Sequence, residues 1–113
     1  MNNISPQLQN HIAQYQQTQQ QLQTVSTQKA QMEVQKREME RTSEELSKAT
    51  GTVYKNVGSI LVTVDDKEKL KNDIDESIET LDIRIKGLDR QEKSLRERFE
   101  ALQDTINKAM GQE

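Results

Sequence analysis

The residue types in this chain that could do chemistry are few, and their spacing argues against most of it. His11 is the single histidine of 113 residues, and no cysteine is present, so neither a thiolate metal site nor a disulfide framework can be built. His11 has no acidic cluster near it in sequence and reads as a structural or surface histidine. The carboxylates Asp73, Asp75, Glu76, Glu79 and Asp82 form the one acidic run that resembles a cation site. Lys69, Lys71, Arg84 and Lys86 flank it at helical salt-bridge spacings, so it reads as a solvated helix face. Gly51 and Gly58 make no phosphate-cradling pattern. No catalytic constellation, metal site or cofactor is expected, and the chain reads as a non-enzyme.

Charge and hydropathy narrow the classes further. The net charge is −3, which disfavours nucleic acid, whose binders cluster Lys and Arg on one face. No stretch approaches the roughly 18 apolar residues of a membrane span, and the amino end lacks the basic-then-apolar order of a signal peptide. A cytoplasmic chain is the expectation. Residues 1 to 28 carry no charged side chain, and the acidic excess lies wholly between Thr52 and Asp89.

The elements that would position these residues are two long heptad-patterned segments. In the second, Ile74, Leu81, Leu88, Leu95, Leu102 and Ala109 recur every seven residues, and Ile78, Ile85, Phe99 and Ile106 hold the position four further on. Glu92 interrupts that row. In the first, Leu8, Tyr15 and Leu22 share one seam position, while Ile4, Val25, Met32, Met39 and Leu46 share the other. Lys29 and Lys36 replace apolar residues there, as polar seam residues do when they specify register at some cost in stability. On this pattern Glu92→Leu is expected to raise the melting temperature.

Between the segments lie two β-branched runs, Val53 to Val57 and Ile60 to Val64, joined by Gly58-Ser59, a two-residue loop of the primed-turn type. That register sets Val57 opposite Ile60, Lys55 opposite Val62 and Val53 opposite Val64, with Tyr54 and Leu61 on the other face. The fold class is therefore mainly α: a long antiparallel two-helix coiled coil with one β-hairpin at the turn. A single domain over residues 1–113 is expected, with helix one in 1–51, the hairpin in 52–64 and helix two in 65–113. Within these bounds the helical legs run from about Pro6 to Ala49 and from about Asp66 to Met110. Ser5 and Asp65 are the expected N-caps, Glu68 completes a capping box, and Gly51 supplies a left-handed C-terminal cap. Residue numbers should pair to about 117, placing Leu22 near Leu95, Met32 near Ile85 and Met39 near Ile78.

A two-helix seam has no interior beyond its stripe, and a lone two-stranded hairpin is marginal in water with two open edges. Assembly with other chains is the expectation. Near the free ends Leu8, Ile12, Tyr15, Phe99, Ile106 and Met110 gather more apolar surface than two helices need. Such a cluster suits an adaptable grip on varied partners.

The helix, hairpin, helix order, Val53-Tyr54-Lys55 with Val57-Gly58 and Leu61-Val62, the Leu-Asp-Ile-Arg stretch at 81 to 84, and Asp89-Arg90-Gln91-Glu92 together resemble a prefoldin β subunit of the archaeal kind. The likeness covers nearly the whole chain, and Pro6-Gln7 and the Gln-rich run to Leu22 extend it to the amino end. A single hairpin fits the β type, since the α type carries two. The resemblance implies a hetero-hexamer of two α and four β subunits. Its hairpins form an oligomeric β-barrel built from Val53, Tyr54, Val57, Gly58, Ile60, Leu61, Val62 and Val64. It further implies an ATP-independent holdase whose coiled-coil tips bind unfolded polypeptides and deliver them to a group II chaperonin. Carried over by position, Ile4, Leu8, Ile12, Tyr15, Ile106 and Met110 would face the client. Only Gly111-Gln112-Glu113 follow the last apolar residue, so a tail that docks a chaperonin would be short. The alternative reading is a structural coiled-coil adaptor that recognises one folded partner.

Overall fold

A computed structural model describes residues 4–111, with the order α1 (Pro6–Lys48), β1 (Tyr54–Val57), β2 (Ile60–Thr63) and α2 (Lys67–Gly111). Gln112 and Glu113 of the short tail lie outside the described residues.

Each boundary has a local cause. The Leu8 amide donates to the Ser5 hydroxyl at 3.0 Å, and the Gln9 amide donates to the Ser5 carbonyl at 2.9 Å. Ser5 is thus the N-cap, with Pro6 at the first helical position, where a missing amide proton costs nothing. At the other end α1 stops at Lys48, short of the expected Thr50 and Gly51. The Lys67 ammonium, at the start of α2, donates to the Ala49 carbonyl at 2.6 Å. A cation from the next element thereby satisfies a carbonyl at the helix end. Gly51 then turns the chain with φ at +86°, a conformation open to glycine.

The start of α2 corrects the capping expectation. The Lys69 amide donates to Oδ1 of Asp66 at 3.0 Å, so Asp66 and not Asp65 is the N-cap. Glu68 then stands at the second helical position instead of the third and cannot close a reciprocal box.

The hairpin register is Tyr54↔Thr63, Lys55↔Val62, Asn56↔Leu61 and Val57↔Ile60, and the Val64 amide extends the ladder to the Val53 carbonyl at 2.8 Å. Gly58 has φ +61°, and no described non-glycine residue has a positive φ. Ser59 therefore keeps a negative φ, which makes the turn type II′, the variety that wants glycine first.

Contacts divide the chain into two compact units: residues up to Ala30 with those from Lys86 on, here the terminal unit, and Gln31–Ile85, here the hairpin unit. In the terminal unit the α1 and α2 segments lie antiparallel. Val25 is buried, and Thr18, only 1% exposed, is its most completely covered side chain. In the hairpin unit Leu46, Leu81 and Ser43 are buried along the same heptad rows.

Candidate interaction surfaces

The charged residues that interrupt the seam, Lys29, Lys36 and Glu92, are all engaged. In the terminal unit the Lys29 ammonium donates to Asp89 at 2.7 Å and to Glu92 at 3.1 Å, and the Ser26 hydroxyl donates to Glu92 at 2.6 Å. The Asp89 bond, with its lesser companion to Glu92, raises the Lys29 pKa. The Ser26 hydroxyl first, then Lys29, holds the Glu92 carboxyl below its ordinary range. In the hairpin unit Lys36 donates to Asp82 at 2.8 Å, and Ser43 donates to Asp75 at 2.6 Å. Lys71 binds the second oxygen of Asp75 at 2.9 Å, and these two partners depress its pKa, Ser43 the more strongly.

Two members of the acidic run, Asp75 and Asp82, are therefore bonded across the helices. Among the described residues no group of three His, Cys, Asp or Glu side chains is arranged to hold a metal ion. His11 lies half-buried on α1. Among the described residues no helix is long and apolar enough to cross a membrane.

The hairpin carries a cluster of exposed apolar side chains. Leu61 is 67% exposed, Ile60 59%, Tyr54 58% and Val57 50%, while Val53, Val62 and Val64 are half-buried. At its base an open recess of about 520 Å³ is lined by Val53 and Tyr54 together with Leu46, Ala49, Leu70 and Ile74. The last four were not singled out as interaction residues from sequence. Heptad spacing marked Leu46 and Ile74 as seam, whereas Ala49 and Leu70 stand outside the heptad rows.

In the terminal unit Tyr15 stacks on Phe99, ring centroids 4.5 Å apart and planes 21° apart. Ile12, Tyr15, Ile106 and Met110 line one recess of about 350 Å³. The fold thus brings together four of the six residues that sequence reasoning placed at a client surface. Leu8 is half-buried and Ile4 is 37% exposed; neither lines that recess. The remaining lining residues, Gln16, Gln19, Gln103 and Asn107, were not foreseen.

The hairpin, the two helices and these surfaces can be set beside known proteins. No match was found among curated proteins. The crystal structure of the prefoldin beta subunit from Thermococcus strain KS-1 is similar over 96% of either chain, with 37% identity and a TM-score of 0.84. The family described as "Prefoldin subunit" matches residues 9–113. A match over nearly the entire length, in sequence pattern and in fold, is decisive: this chain belongs to the prefoldin family.

Proposed function

We propose that the chain is a β-type subunit of an ATP-independent holdase, which keeps unfolded polypeptides from aggregating and passes them to a group II chaperonin. A chaperone-type role follows from the family, whose subunits are non-enzymatic and assemble with one another. The finer reading is a cytoplasmic hetero-hexamer of two α and four β chains, joined through Val53, Tyr54, Val57, Gly58, Ile60, Leu61, Val62 and Val64. Clients contact Ile4, Leu8, Ile12, Tyr15, Ile106 and Met110.

The observation that carries this reading is the recess shared by Ile12, Tyr15, Ile106 and Met110, an open apolar surface on the least charged part of α1. Holding many non-native chains requires apolar contact without a fixed hydrogen-bond pattern, and several legs acting together multiply weak contacts through effective concentration. Adaptable Met and aliphatic side chains serve that end.

The test is suppression of aggregation of a chemically unfolded protein, without nucleotide, by a complex reconstituted with its α partner. Replacing Leu8, Ile12 and Ile106 with Ser in every β chain should weaken protection by about tenfold or more while the complex stays intact. Equal protection by mutant and parent would favour the adaptor that recognises one folded partner.

A further inference from the structure

We infer that the terminal unit reads the backbone of its client as well as the client's apolar side chains, and so selects extended segments; the inference rests on the holdase reading. The recess floor is apolar, formed by the half-buried Ile12, Tyr15 and Ile106, with Met110, 54% exposed, at its edge. Its rim is four primary amides, Gln16, Gln19, Gln103 and Asn107, and no charged side chain lines it. All four are exposed, and none donates to or accepts from another group of the described residues through its side chain.

A primary amide offers two donors and one acceptor oxygen. An extended segment presents backbone N–H and C=O groups in need of partners, whereas a helix or a central strand has already paired them. Neutral amides therefore attach to any extended sequence and ignore its charge, while lysine or glutamate in their place would select by charge. The apolar floor takes the side chains that such a segment directs inward.

The same chemistry recurs on a second flank of the terminal unit. There a recess of about 540 Å³ has Val25 and Leu95 among its lining, and Gln17, Gln20, Gln21 and Gln91 stand around them, again without a charged group. By contrast the recess at the hairpin base includes Arg41, Glu45 and Lys55.

The experiment uses the assembled complex and two fluorescent peptides of one uncharged sequence, alternating Leu with Ser, the second N-methylated at alternate backbone nitrogens. Anisotropy titration should show the parent complex binding the methylated peptide about tenfold more weakly. A complex whose β chains carry Gln16→Met, Gln19→Met, Gln103→Met and Asn107→Leu, with helix content checked by circular dichroism, should bind the two peptides alike. Equal affinity of the parent for both peptides overturns the backbone inference and leaves the holdase reading standing. Discrimination that survives in the amide variant places backbone recognition elsewhere and also overturns it. Failure of the parent to bind either peptide overturns the holdase reading itself.

Discussion

Lys29 and Glu92, two charges standing at seam positions of opposite helices, meet at 3.1 Å, with side chains only 20% and 16% exposed. Each interrupts an apolar row when its own helix is read alone. Together, with Asp89 and Ser26 completing the donor and acceptor set, they form one satisfied polar layer in the terminal unit. Such a layer fixes register, because a shift of α1 along α2 would separate the partners and leave charges against apolar neighbours.

The expectation that Glu92→Leu raises the melting temperature is therefore reversed. Removing one partner of a covered pair leaves Lys29 half-satisfied and Ser26 without its acceptor. Glu92→Leu should lower the midpoint by roughly 5 °C in thermal unfolding followed by circular dichroism. The double variant Lys29→Leu with Glu92→Leu should recover the parent midpoint or exceed it, since an apolar layer needs no ionic partner. A single variant more stable than the parent would show that the layer contributes nothing.

The same groups set the response to pH. Lys29 lowers the pKa of Asp89, and Ser26 with Lys29 lowers that of Glu92; in the hairpin unit Ser43 with Lys71 lowers that of Asp75. A carboxylate depressed in the folded state contributes stability above its unfolded pKa of about 4, and that contribution is lost as pH falls through the folded value. Lys29 and Lys36 are shifted upward. Their contribution is complete below the ordinary lysine value of about 10.4 and disappears only as pH rises through the still higher folded values. Melting temperature should thus be flat from about pH 5 to pH 10 and fall on both sides. Glu92→Gln should shallow the acid slope. Because these side chains are partly exposed, salt should weaken the whole effect.

Much of the fold was legible because it depends on spacing. Leu81, Leu88, Leu95 and their partners announced the seam, and two β-branched runs around Gly58-Ser59 announced the hairpin and its register. What was not legible depends on which residues come opposite one another. Ser26 resembles an ordinary surface serine, and Ser43, on a seam row, shows no partner, until the register brings Glu92 and Asp75 to them. Asp65 and Asp66 are chemically identical cap candidates, and only the backbone decides between them. Gln16 and Gln19 were lost in a uniform Gln-rich face and gain meaning only beside Gln103 and Asn107.

The cap assignment has a direct consequence. Asp66→Ala removes the acceptor of the Lys69 amide and should cost about 1 kcal/mol, whereas Asp65→Ala should be close to neutral. Denaturant midpoints of the two variants, measured in the same assembled complex, separate them. Equal losses would mean that Asp65 shares the cap.

The last prediction concerns assembly. Val57 and Ile60 sit opposite each other beside the Gly58-Ser59 turn, half or more exposed, on a sheet whose two outer edges have no partner within the described residues. An apolar strand pair of this kind is stable only when further strands or side chains cover it. If neighbouring hairpins supply that cover, Val57→Asp with Ile60→Asp places two carboxylates in a dry interface, and each buried unpaired charge costs several kcal/mol. The helices rest on their own seam, so far-ultraviolet circular dichroism should change little. Light scattering after gel filtration with the α partner should show the large complex replaced by small species. A doubly substituted chain that still enters a complex of parental mass would place the assembly contacts elsewhere on the chain, with the recess around Leu46, Leu70 and Ile74 the next surface to substitute.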